Sequence, residues 1–155
     1  MFNHAPPGYA CPFCAIAHGV QRDGVHTVPA DVVLRTDAVI AFVSSHGWRR
    51  NPGHVLVVPT AHHENLYDLP DEIGAAVFAA SRRIALAMKH GYGCAGTSVR
   101  QHNEPAGHQD VWHYHLHVFP RHAGDQLYTA AGPELIPPEL RAVFAARLRA
   151  AMPPV

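Results

Sequence analysis

The chain has 155 residues, 48% of them hydrophobic and 15% charged, with Lys+Arg and Asp+Glu balanced at 12 each. That length suits one domain around one core, residues 1–155, and the balanced charge offers no bulk positive field for nucleic acid or an acidic membrane. No apolar run approaches the ~20 residues of a membrane span, and Met1 to Ala10 lacks the pattern of a secretory signal, so a cytoplasmic location is expected.

In chain order, Cys14 to His18 reads as one or two helical turns ended by Gly19, followed by a loop from Gln21 to Pro29. Val32–Arg35 and Val39–Val43 are strand candidates around a Thr36-Asp37 turn. Ser44 to Asn51 is a polar loop, and His54–Val58 is a buried strand stopped by Pro59. Tyr67 to Glu72 offers a cap and an acidic first turn to one long helix. Its apolar stripe is Ile73, Ala76, Val77, Ala80, Ile84, Ala87 and Met88, and Gly91 ends it. Thr97 to His102 is a strand, Asn103 to Gln109 a loop, and Val111 to Pro120 another strand. Pro137-Pro138 opens a last amphipathic helix, about 138–152, with Leu140, Val143, Phe144, Leu148 and Met152 as its apolar row. Strands in antiparallel-style succession around one long helix imply an α+β fold.

The strand from Val111 carries the chemistry. Side chains alternate along a strand, so His113, His115 and His117 share one face while Tyr114, Leu116 and Val118 share the other. Imidazole serves as base, nucleophile or metal ligand near neutral pH, so the run reads as the floor of an active site. Since the chain holds 14 histidines, a solvated sheet face is the plainer alternative. One metal ion cannot bind all three, because the outer pair stands ~13 Å apart at the rise of a strand and zinc needs its donors within ~2.0–2.1 Å. Division of labour follows, with one end structural and the middle histidine attacking.

Cys11 and Cys14 form a Cys-Pro-Phe-Cys spacing, either a redox pair or half of a metal site. A thioredoxin-like pair needs a preceding strand, and only Ala5-Pro6-Pro7-Gly8-Tyr9-Ala10 precedes Cys11, which favours the metal site. Cys94 reads as a small residue at a helix exit.

His113-Tyr114-His115-Leu116-His117-Val118-Phe119 resembles the His-φ-His-φ-His-φ-φ signature of the histidine triad (HIT) superfamily of nucleotide hydrolases and transferases, in its zinc-containing branch. Cys11-Pro12-Phe13-Cys14-Ala15-Ile16 is similar to the opening of zinc-containing members, and Asn51-Pro52-Gly53-His54-Val55-Leu56-Val57-Val58-Pro59 to the Pro-Gly-His strand. His62-His63-Glu64-Asn65-Leu66-Tyr67-Asp68-Leu69 follows in order, and Asn103-Glu104-Pro105-Ala106-Gly107-His108-Gln109-Asp110-Val111 resembles the loop before the triad. The match spans about residues 11–121.

The resemblance implies a HIT-like fold: an antiparallel sheet, one long helix, and short N- and C-terminal helices. It implies a nucleotide phosphohydrolase that attacks the α-phosphate of a nucleoside phosphoramidate or dinucleoside polyphosphate through a nucleotidyl-histidine. His115 is the implied nucleophile, with His117 and Gln109 assisting; His54, Asn103, Ser44 and Phe13 are the implied nucleotide contacts. Structural zinc is implied at Cys11, Cys14, His62 and His113, with His63 able to replace His62. A homodimer is implied as well. A nucleotidyltransferase or phosphorylase, or a zinc-stabilised nucleotide-binding protein without turnover, are the other readings. Ser44 stands where relatives often carry an Asp, and Asp110 where some carry a Ser beside the α-phosphate, so its carboxylate either points away or shifts the substrate. His4, His18, His26, His46, His90, His102 and His122 fall outside the pattern and read as surface histidines.

Overall fold

In a computed structural model, which describes residues 2–154, ten helices and strands follow in chain order. They are α1 (Pro12–Ala17), β1 (Val32–Arg35), β2 (Val39–Val43), β3 (His46–Gly47), β4 (Val55–Pro59), α2 (Asp71–Gly91), β5 (Gly96–Gln101), β6 (Leu116–Arg121), β7 (Glu134–Leu135) and α3 (Pro138–Ala151). The main sheet has the order β1-β2-β4-β6-β5, with every neighbouring pair antiparallel. This is the expected α+β arrangement.

The two-residue alternation of a strand divides the core in two. On one face Ala41, Val43, Val55, Val57 and Val118 pack against Val77, Ala80, Ile84, Ala87 and Met88 of α2. On the other, Ile40, Phe42, Leu56 and Val58 pack against Phe13 and Ala17 of α1. β2 and β4 are buried on both faces, so their sequences are unbroken apolar runs.

Helix α2 starts at Asp71 behind Pro70 and has no side-chain cap; the expected cap region is instead a short 3₁₀ turn, Leu66–Asp68, capped by Asn65. Asp71 and Glu72 do occupy the first turn, where their charge meets the positive end of the helix dipole. Gly91 closes α2 because α3 crosses there: a Cβ at that point would lie 2.9 Å from the Arg147 carbonyl oxygen.

The expected apolar row of α3 holds in part. Leu140 and Val143 are exposed, whereas Arg141, Ala145 and Leu148 face inward. Arg141 pairs with Asp31 at 3.0 Å, both essentially inaccessible to water, and donates to the carbonyls of Ile136 and His26 at 2.6 Å each. A reading that counts Arg as polar misses Arg141 and takes in Leu140 and Val143 in error, while Phe144, Leu148 and Met152 pack on the core as expected.

The strand expected from Val111 begins only at Leu116. β6 pairs with β4 through Leu116–Val57, and the ladder cannot continue because Pro59 has no N–H to donate. The Tyr114 N–H goes instead to the His63 carbonyl at 2.6 Å. His113 therefore lies in a bend, its N–H bonded to the Val111 carbonyl at 2.8 Å, and His115 in the short lead-in to β6. The Ser44–Asn51 loop holds one short element, β3, which pairs with β7 and walls one side of the site.

Candidate functional site

Four donors meet where α1, the turn after β4 and the β6 lead-in converge: Cys11, Cys14, His62 and His113, all within 4.8 Å of one another. Cys11 Sγ lies 3.3 Å from His113 Nδ1, and Cys14 Sγ lies 3.3 Å from His62 Nδ1 and 3.6 Å from His113 Nδ1. Tetrahedral zinc, with bonds of about 2.3 Å to sulfur and 2.0–2.1 Å to nitrogen, separates such donors by about 3.6 Å. The residues present fit the ion. His113 Nε2 is bonded to the Pro59 carbonyl at 3.0 Å, which fixes the ring and leaves Nδ1 as the ligating nitrogen. His62 rather than His63 joins the cluster. Burial, with Cys11 beside it, pushes the Cys14 thiol up to about 12 when no cation is present.

His115 stands two residues on, 2% exposed at the residue level, its Nδ1 2.7 Å from the His113 carbonyl oxygen. A carbonyl can only accept, so Nδ1 carries the proton and Nε2 holds the lone pair. The Phe13 ring meets His115 edge-on at 5.1 Å, so α1 presses the imidazole into place. His117 lies 5.1 Å beyond and stacks with His54 and Phe119 at 5.6 Å each. Gly53 aims His54 into this stack: its φ is +79°, and a Cβ would lie 2.8 Å from the Phe144 ring. His54 Nε2 and His117 Nδ1 are buried with no hydrogen-bond partner among the described residues, an arrangement that suits a ligand with polar oxygens.

These imidazoles form part of the floor of a cavity of about 360 Å³ whose walls include Phe13, Ile16, Ser44, Trp48, Leu56 and Asp110. Of the nucleotide contacts expected from sequence, Phe13, Ser44 and His54 line it. Asn103 does not, nor does Gln109, the implied assistant of His115. Asn103 accepts from the Leu66 and Gln101 nitrogens, shaping the loop. Gln109 is buried; its amide donates to the Glu64 and Val111 carbonyls at 2.6 and 3.0 Å, and its oxygen accepts from Glu104 N at 2.9 Å.

Burial keeps all three imidazoles neutral. It lowers His54 to about 3, with Arg100 and His46 adding repulsion, and lowers His117 well below the ordinary value. His115 is also lowered by burial, against the opposing pull of its backbone bond and of Asp110. For His54 and His117 the unfolded chain binds protons below the ordinary value near 6.5 that the folded chain refuses. Stability is thus fully present above that value and is lost as pH falls below it, by up to about 1.4 kcal/mol per unit and site. Denaturant midpoints measured from pH 7.5 downward are expected to fall steadily toward about pH 4. A flat profile contradicts the buried, neutral assignment.

Residues 25–124 match the family model of the HIT domain, well over half of the chain. The chain belongs to the HIT domain family. This HIT domain is 32% identical over 112 residues to Protein hit of Bacillus subtilis (strain 168), covering 72% of this chain and 71% of that one. It is 30% identical over 112 residues to adenosine 5'-monophosphoramidase HNT1 of Saccharomyces cerevisiae, covering 72% and 63% respectively. Among solved structures, a Hit-like protein involved in cell-cycle regulation from Bartonella henselae superposes with a TM-score of 0.77 at 31% identity, covering 92% of this chain and 96% of that chain. A Zn-bound histidine triad family protein from Mycobacterium smegmatis gives 0.73 at 32% identity, covering 92% of each.

Several residues of this HIT domain's site carry no signal in the sequence pattern. Arg100 pairs across the sheet with His117, and its guanidinium lies over the Phe119 and Trp48 rings at 4.8 and 5.4 Å. His102, expected at the surface, is half-buried with its ring 6.1 Å from that of His117. His26 and His46 are exposed as expected, yet both line the cavity. Asp110, unlike these, is singled out in the sequence; it lines the cavity rather than pointing away, with Oδ1 3.6 Å from His115 Nε2. The repeat of the histidine run was legible from its spacing, whereas these residues come from separate loops and from β5.

Proposed function

We propose that this HIT domain is a nucleotide phosphohydrolase acting on a nucleoside phosphoramidate or dinucleoside polyphosphate. The observation that carries the reading is the free Nε2 of buried, neutral His115, beside two imidazoles with unpartnered ring nitrogens. The Nε2 lone pair forms a bond to the α-phosphorus as the bond to the leaving group breaks. The leaving group keeps the electron pair and, if an amine, takes up a proton from water. Water then adds to phosphorus, loses a proton, and releases Nε2 with the nucleoside monophosphate. A covalent intermediate divides one hard displacement into two easier ones.

His117 and His54 offer preorganised donors to the phosphoryl oxygens as charge develops there. Phe13 gives the nucleoside an apolar face, and Ser44 a hydroxyl that hydrogen-bonds less strongly than a carboxylate. Asn103 and Gln109 assist by holding the loop in shape. Cys11, Cys14, His62 and His113 would hold a structural zinc ion, which would supply a crosslink between α1 and the reacting segment. The named activity of the yeast relative supports the substrate class.

β5 lies at an edge of the sheet with Val99 exposed, and Phe78 on α2 is 71% exposed; both support a homodimer that hides the edge. The described helices include none long and apolar enough to cross a membrane, and a cytoplasmic setting keeps the metal-binding thiols reduced.

The test is turnover of an adenosine phosphoramidate and of a dinucleoside polyphosphate, in water and with inorganic phosphate added. AMP release in water, with a labelled acid-labile adduct trapped by quenching, is the expected result. Product formed only with added phosphate makes the protein a phosphorylase. Measurable AMP binding with both substrates untouched makes it a binding protein without turnover.

A further inference from the structure

We infer that Asp110 is the general base of the second step, taking the proton from the water that attacks nucleotidyl-His115. The inference rests on the nucleotidyl-histidine reading above and adds to it a catalytic residue outside the histidine run.

The loop before β6 presents this side chain. Glu104 and His108 hold φ values of +61° and +65°, conformations that a residue with a Cβ rarely adopts. Between them the chain turns tightly enough for the Gln109 amide to be bonded inward on three sides. The residue after an inward-turned one faces the opposite way, and Asp110 does so. It faces the cavity with its side chain 85% exposed, and among the described residues it is the cavity's one carboxylate.

Distance supports the role. Asp110 Oδ1 is 3.6 Å from the nitrogen that would carry the phosphorus. A water attacking that phosphorus starts about 3–3.5 Å from it, and a base must come within about 2.6–3.2 Å of the water. In an in-line displacement that water stands on the far side of phosphorus, about 5 Å from Nε2, so the carboxylate has to swing outward from its place beside Nε2. It is open to solvent and, among the described residues, its oxygens accept no hydrogen bond, which leaves its side-chain bonds free to turn. His54 and His117 are poor substitutes, because the aromatic stack and Arg100 around them disfavour a gained proton.

The step balances. Water oxygen forms a bond to phosphorus while one of its protons passes to Asp110, and the P–N bond breaks with its pair returning to Nε2. The protonated carboxyl then releases its proton to solvent. The same negative charge repels an anionic substrate on entry, so Asp110 opposes the first step and serves the second.

Opposite effects on the two steps provide the test. In Asp110→Asn, rapid-quench measurement with a fluorogenic adenosine phosphoramidate is expected to show a first burst as fast as in the wild type or faster. Steady-state turnover is expected to fall by about 10²–10⁴-fold, with the adduct accumulating on His115. In Asp110→Gly, added formate is expected to restore turnover in part, an effect that a merely structural role does not produce. Unchanged steady-state turnover in Asp110→Asn, or a burst and steady state that fall together, overturns the proposal. A wild-type enzyme that turns over with no adduct on His115 removes the underlying reading, and the proposal with it.

Discussion

His115→Ala is expected to lower turnover by about 10⁶-fold, the scale of losing the attacking atom of a covalent mechanism. No neighbour can take its place. His113 has Nε2 bonded to the Pro59 carbonyl and Nδ1 directed at the two thiols, so neither nitrogen is free. His117 is locked in the stack with His54 and Phe119. The fold should survive, because His115 faces Phe13 and the cavity rather than the α2 side of the sheet. Circular dichroism and AMP titration of the variant are expected to resemble those of the wild type, and His115→Gly with added imidazole to regain part of the activity. An adduct that maps to His113 or His117, or near-normal turnover in His115→Ala, would falsify the assignment of the nucleophile.

Loss of the metal should be nearly as severe, but in stability. Purified protein is expected to contain about one zinc per chain. Cys11→Ala or Cys14→Ala is expected to shed it and to lower Tm sharply, since structural zinc contributes on the order of 10–16 kcal/mol to small metallodomains at neutral pH. The larger core here reduces that dependence without removing it. The bound ion would tie together residues as far apart as Cys11 and His113, 102 positions along the chain. It would also fix the residue whose carbonyl orients His115, so activity should fall with metal content. The checks are elemental analysis and a thermal melt with and without a chelator. Metal-free protein of unchanged Tm defeats the claim.

The parts legible in the sequence are those with a period. Alternation at His113, His115 and His117, the α2 stripe and the runs of β2 and β4 all repeat at the spacing of their element. Where one polar residue stands beside another, no period distinguishes them. His62 is preferred to His63 by its register with relatives and not by any period, and no period tells whether Asp110, after the left-handed turn at His108, points away from the site. Arg141 misled the reading of α3 because an inward-facing charge depends on Asp31, 110 residues away. β3 and β7, two residues each, are too short to carry any pattern.

The ion pair between Asp31 and Arg141 separates the inherited unit from the folding unit. The family-matched segment ends at residue 124, yet Arg141 on α3 grips the His26 carbonyl and so anchors the loop that rims the cavity. A fragment trimmed to 25–124 keeps Asp31 and loses its partner, and a buried charge abandoned in this way costs about 3–5 kcal/mol. That fragment also loses Cys11 and Cys14. If the proposed reaction holds, its chemistry and its choice of substrate have different mechanical supports: the histidine run is carried by β6 and the segment leading into it, while the rim hangs from the C-terminal helix. Changes in α3 would then retune which molecules enter while leaving the reacting atoms where they are.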